Sequence, residues 1–125
     1  MIRNDFVSNS SSTSFMIVGY AANLDMVKKR ILELDSTCKE NDELFDCLYE
    51  SCDHLMSLVP DAKISFSQEI TDEPYYAYFG LNYIEMEYNE TRDQFEERIL
   101  KEVQKIFPDA KRTNIQYECQ GGRDA

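Results

Sequence analysis

The stretch FMIVGY, Phe15 to Tyr20, decides how the rest of the chain is arranged. Its residues are apolar, aromatic or glycine throughout, so an extended strand here has no wet face. A strand of that kind belongs in the middle of a sheet. A second run, YYAYFGL from Tyr75 to Leu81, has the same character. Two central strands require edge strands beside them, and the flanking sequence offers two. After Pro60, Ile64, Phe66 and Ile70 alternate with Ser65, Ser67 and Glu69, the pattern of an edge strand with one wet face. From Arg112 to Cys119, Thr113, Ile115, Tyr117 and Cys119 alternate with Asn114, Gln116 and Glu118, a fourth strand with one polar face.

Helical spacing fills the gaps between these strands. Asn23 precedes Leu24, Val27, Ile31 and Leu34, which recur at helical intervals, so Asn23 is an N-cap and the helix ends near Ser36. A second helix is expected from about Asn41 to Leu58, with Leu44, Phe45, Leu48, Cys52, Leu55 and Val59 inward and Pro60 as its stop. The two form a helical hairpin or one broken helix. A third helix, Thr91 to Phe107, puts Phe95, Ile99, Leu100, Val103, Ile106 and Phe107 on one stripe. Thr71-Asp72-Glu73-Pro74 is a turn between the second and third strands.

The order is β-α-(α)-β-β-α-β, an α+β chain with the ferredoxin-like split arrangement and an extra helix in its first crossover. In that topology strands one and three are central, which agrees with their two-sided apolarity. The expected sheet is four-stranded and antiparallel, with helices on one face. Apolar side chains on its other face then require a cover, and a homodimer through that face is the expectation. The organisation is a polar leader over 1–13, one domain over 14–120 and a frayed tail over 121–125.

Charge narrows the partners. The net charge is -11, and Glu33 to Glu97 carries 18 acidic residues against Lys39, Lys63 and Arg92. Such a surface repels nucleic acid and anionic lipid and attracts basic protein surfaces. The longest apolar run, Phe15 to Ala22, is too short to span a bilayer, and a soluble, unexported protein with four reduced cysteines is expected.

The leader, RNDFVSNSSSTSF from Arg3 to Phe15, has no glycine or lysine and opens a strand, so it does not suit a phosphate loop. Its small polar residues suit a solvated terminus, and deletion of Met1 to Asn9 is expected to leave folding intact. The segment resembles a leader of the form R-x-G/D-F-V-S-N-S-S-S-x-S-F on small uncharacterised proteins of phages and prophage-bearing bacteria. Tyr78-Phe79-Gly80-Leu81, with Met86, Glu90-Thr91 and Phe95, is similar to a later pattern in such proteins. The resemblance implies a viral or mobile-element origin and a bacterial cytoplasm, and it brings no catalytic residues.

No constellation points to a reaction. Cys52 and His54 are two apart on a helix and face about 200° away from each other. Cys38, Cys47, Cys52 and His54 lack zinc-ligand spacing. No catalytic, cofactor or metal residue is therefore assigned, and an enzyme is not expected. The acidic stripe Glu43, Asp46, Glu50 and Asp53, spaced i, i+3, i+7 and i+10, lies on one face if a single helix runs through it. Tyr83 and Tyr88, with Glu85 and Glu87, form an acidic aromatic loop suited to an interface. These eight residues are the expected contact with a basic protein surface of a host factor. The function expected is that of a small phage-type inhibitor, of the anti-defence or anti-CRISPR kind, that covers a nucleic-acid-binding groove. The alternative is an oligomeric pocket protein that binds a nucleotide-like molecule, with Lys28, Lys29, Arg30, Lys111 and Arg112 meeting the anion.

Overall fold

The computed structural model describes residues 15–68 and 76–120. The leader over 1–13, the Thr71–Pro74 turn, Ile70, Tyr75 and the tail over 121–125 lie outside the described residues. The elements run β1 (Phe15–Ala22), α1 (Leu24–Leu34), α2 (Leu48–Leu58), β2 (Ser65–Gln68), β3 (Ala77–Asn82), α3 (Arg92–Ile106) and β4 (Ile115–Gln120). The sheet order is β2-β3-β1-β4, every pair antiparallel. This is the split arrangement read from the two-sided strands, with α2 as the extra helix. All six residues of β3 are buried, as are Ile17, Val18, Gly19 and Ala22 of β1.

One core lies between the helices and one face of the sheet. Val18 and Ala22 of β1 and Ala77, Phe79 and Leu81 of β3 meet Val27 and Ile31 of α1, Cys52 and Leu55 of α2, and Phe95, Ile99, Val103 and Ile106 of α3. Full burial of each large aliphatic or aromatic side chain contributes about 1.5–3 kcal/mol, so the four fully buried residues of α3 are a major share of what holds the fold. Local signals set the helix ends. The Asn23 side chain accepts from Met26 N at 3.0 Å, and Thr91 and Gln94 exchange bonds in a capping box. α1 stops at Leu34 because Asp35 turns extended, its carboxylate accepting from the backbone N–H and the hydroxyl of Thr37.

Several expectations need correction. The second helix is not continuous from Asn41 to Leu58: Glu43–Asp46 is a separate 3-10 turn, and Cys47 between it and α2 is extended. Asp42 caps the turn by accepting from Leu44 N. The buried Ser51 hydroxyl holds the break, reaching Leu44 O at 2.8 Å and Cys47 O at 3.0 Å. In β2, Ser67 is not on a wet face: it is 1% exposed, opposite Tyr78. Arg112–Asn114 forms a 3-10 turn, so β4 starts at Ile115. The sheet face turned away from the helices is not open either. Ile17 is fully buried and Tyr78 is 6% exposed, with Ala21 and Tyr76 half-buried beside them.

Candidate partner-binding surface

The eight expected contact residues fall on three elements. Glu43 and Asp46 are on the 3-10 turn, Glu50 and Asp53 on α2, and Tyr83, Glu85, Glu87 and Tyr88 on the connection from β3 to α3. All eight are exposed. The stripe is therefore two i, i+3 pairs separated by the extended Cys47, and the four carboxylates do not share one helical face.

The β3–α3 connection is firmly built. Asn82 ends β3, and its side-chain oxygen accepts from Ile84 N at 3.1 Å, which starts the 3-10 turn Tyr83–Glu85. Glu85 reaches back to Asn82 N, and Met86 N closes on Tyr83 O. From α3, Arg98 holds the other half. Its Nε and Nη2 donate to both oxygens of Glu90 at 2.8 and 2.7 Å, and Nη2 also donates to Glu85 O at 3.2 Å. Glu90 in turn accepts from Glu87 N at 2.9 Å. The Arg98 guanidinium, at hydrogen-bond distance, holds the Glu90 carboxyl down at about 2.

What this brace presents to water is apolar and acidic together. The Tyr83 ring packs edge-on against Phe95 and tilted against Tyr117, so it anchors the loop as well as facing solvent. Ile84 is 83% exposed and Tyr88 99% exposed, with Glu85 and Glu87 beside them. Glu87, Tyr88, Asn89, Glu90 and Gln94 line an open depression of about 440 Å³. Its carboxylates suit a cationic side chain.

A second cluster ties α3 to β4. Arg112 pairs with Asp93, Glu96 and Glu97 at 3.1, 2.6 and 3.3 Å. The Tyr117 hydroxyl donates to Glu96, and the Arg92 guanidinium stacks 4.5 Å over the Tyr117 ring. The Tyr117 hydrogen bond, with Arg112 beside it, lowers the Glu96 carboxyl below its ordinary range.

The basic residues assigned to an anion are mostly occupied. Arg30 donates to Ile106 O and Glu33, Arg112 is held by three carboxylates, and the Lys28 ammonium lies 5.2 Å over the Phe45 ring. Cys52 and His54 are kept apart. His54 Nε2 donates to Asp35 at 2.9 Å, linking α2 to the end of α1, while burial pushes the Cys52 thiol up to about 12. The four cysteines are free thiols. Among the described residues no group of three or more His, Cys, Asp or Glu is placed to hold a metal ion, and no helix is long and apolar enough to cross a membrane.

Sequence reasoning found the exposed residues of this loop and missed Arg98, the residue that fixes them. A cation in mid-helix carries no signal of its own, since its partner Glu90 precedes it by eight positions on a different element. Comparison of the chain with family models, with curated proteins and with solved structures returns no match.

Proposed function

We propose that this chain is a small binding protein that docks on a basic protein surface through the Tyr83–Glu90 loop and thereby inhibits or redirects a host factor. The observation that carries it is a braced loop holding Ile84 and Tyr88 out in water on either side of Glu85 and Glu87. Single exposed apolar residues are ordinary. Two on a loop fixed by a capping box and an arginine fork are different, because a pre-organised contact loses little entropy on docking. Tyrosine fits the buried centre of an interface, and carboxylates around it complement lysine and arginine.

The leader resemblance supports a phage or prophage source and a bacterial cytoplasm as the place of action. A defence nuclease offers a basic groove of the matching sign, and the acidic segment Glu33 to Glu97 repels the nucleic acid that groove would hold. Direct binding to nucleic acid or to an anionic membrane does not suit this charge. Ile17 and Tyr78, the residues expected to drive a dimer through the sheet, are buried in the single chain, so the proposal does not include self-association through that face.

The test is affinity capture from bacterial lysate by the parent chain and by an Ile84→Ser/Tyr88→Ala variant, at about 50 and 300 mM salt to vary screening. The expected result is a nucleic-acid-binding protein retained by the parent at low salt, lost to the variant, and displaced from its nucleic acid by the parent. Equal capture by both chains, or a captured protein that keeps its nucleic acid, overturns the proposal.

A further inference from the structure

Arg30 meets Glu33 at 2.6 Å, Arg98 meets Glu90 at 2.7 Å, and Arg112 meets Asp93, Glu96 and Glu97. Arg92 is the exception: among the described residues it forms no ion pair. The chain has 24 acidic residues against 13 lysines and arginines, so carboxylates are not scarce. The position is also unfavourable in itself, since Arg92 is the first residue of α3, where the helix dipole disfavours a cation.

What holds the guanidinium there is β4. It lies 4.5 Å over the Tyr117 ring, and its Nε donates to the Tyr117 hydroxyl at 3.2 Å. Tyr117 is fixed in turn, because its hydroxyl donates to Glu96 Oε2 while Glu96 Oε1 accepts from Arg112. Both oxygens of Glu96 are engaged, and the outer nitrogens of the exposed Arg92 have no acceptor among the described residues. This ledge adjoins the braced loop. The Tyr83 ring, where the loop begins, packs against Tyr117 and Phe95 with centroids 6.2 Å apart in each case. Arg92, Tyr117 and Tyr83 therefore form one contiguous set, joined through Tyr83 to the exposed Ile84.

We infer that Arg92 belongs to the docking surface and takes a carboxylate of the partner protein, whose basic surface therefore carries an aspartate or glutamate opposite it. The inference rests on the reading that the Tyr83–Glu90 loop docks on a protein. A guanidinium already stacked on a ring keeps its outer donors for a planar carboxylate and loses little freedom on binding. Against a uniformly basic surface it is a like charge inside the contact, so it rejects basic partners that lack the carboxylate. A nucleic-acid phosphate is the other oxyanion that a guanidinium suits, but the exposed Glu85, Glu87, Asp93 and Glu97 on the same stretch of chain repel it.

Surface plasmon resonance of the parent, Arg92→Ala, Arg92→Lys and Tyr88→Ala chains tests it on three immobilised probes: the protein that the parent captures from lysate, poly-L-lysine and duplex DNA. On the captured protein, Arg92→Ala should weaken binding about thirtyfold and Arg92→Lys about tenfold, because an ammonium lacks the fork. On poly-L-lysine the Arg92→Ala chain should bind at least as tightly as the parent, since it has lost a like charge. Opposite signs on two cationic probes are not what a merely structural arginine produces. The variants should melt within about 4 °C of the parent, and if Arg92→Ala melts lower, Arg92→Lys decides. Arg92→Glu should bind the captured protein more weakly still, and changing one of that protein's aspartates or glutamates to lysine should restore about tenfold. Failure of every such change to restore binding overturns the inference. So does an Arg92→Ala chain that matches the parent on the captured protein, and a weakened Tyr88→Ala chain would then leave the loop reading standing. If Tyr88→Ala also matches the parent, or the parent captures no protein, the loop reading falls and this inference with it. Arg92-dependent binding of the parent to DNA overturns it as well, because the oxyanion is then a phosphate.

Discussion

Gly19 and Gly80 lie directly opposite each other where β1 pairs with β3, and neither position has room for a side chain. A Cβ on Gly19 would meet Phe79 O at 2.2 Å, and one on Gly80 would meet Val18 O at 1.9 Å. The obstacle in each case is backbone of the neighbouring central strand, which no rotamer change relieves. Gly19→Ala and Gly80→Ala should each destabilise by about 2–4 kcal/mol, in the upper part of what single substitutions do. Urea unfolding measures this directly. A loss under about 0.5 kcal/mol for either would mean the two strands separate freely at that pair.

Acid should unfold the chain partly through Asp35. Its carboxyl is lowered to about 2, first by the Thr37 hydroxyl and then by His54 and the Thr37 N–H. A group whose pKa is depressed on folding contributes stability above its unfolded value, near 4, and loses that contribution as pH falls toward the folded value. Glu90, also held near 2, behaves the same way through Arg98. Tm should therefore fall between about pH 4.5 and 2. Asp35→Asn and Glu90→Gln should each flatten that slope while lowering Tm at pH 7. An Asp35→Asn chain with the parent's acid profile would show that the contacts of Asp35 with Thr37 and His54 contribute nothing to acid stability.

The Arg98 fork makes a separate prediction about order. Arg98→Ala removes two bonds to Glu90, one to Glu85 O and the stacking over Phe95. The pair is partly exposed, so the global cost should be only about 1 kcal/mol. The local cost should be larger: amide exchange over residues 84–89 should quicken about tenfold, the factor that corresponds to about 1.4 kcal/mol of local opening. Exchange that stays at the parent's rate would assign the loop's order to the Asn82–Glu85 capping box alone.

The arrangement of elements was legible because burial on both faces leaves a strand only the middle of a sheet, and Phe15–Tyr20 and Tyr75–Leu81 are the two stretches of that kind. The Gly19–Gly80 contact was not legible. It depends on register, which joins residues 61 positions apart, and a glycine in a strand looks the same whatever it faces. The break at Cys47 was hidden for a related reason. Leu44, Phe45, Leu48, Cys52 and Leu55 keep helical spacing through it, and what interrupts the helix is the Ser51 hydroxyl taking Leu44 O, a bond across seven residues. At the candidate site, exposure of Tyr88, Glu85 and Glu87 followed from their polar, turn-rich surroundings. The brace did not follow, because it comes from α3.

The broken stripe and the braced loop can be told apart by substitution. Glu43→Gln, Asp46→Asn, Glu50→Gln and Asp53→Asn together take the net charge from -11 to -7. Each i, i+3 pair they relieve was worth about 0.2–0.5 kcal/mol of repulsion, so the fourfold variant should be at least as stable as the parent. Because the four carboxylates are split between a 3-10 turn and α2, they act on a basic partner mainly as long-range charge. The variant should associate more slowly and with a shallower salt dependence while its dissociation rate stays near the parent's. Tyr88→Ala is the opposite case. The ring is 99% exposed, so stability should change by less than about 0.5 kcal/mol. If Tyr88 fills a pocket at the centre of the interface, its loss should weaken binding by about 2 kcal/mol or more, roughly thirtyfold, almost wholly through faster dissociation. Surface plasmon resonance against the captured partner separates the two rates. A fourfold variant that dissociates faster than the Tyr88→Ala chain would move the interface from the β3–α3 loop to α2.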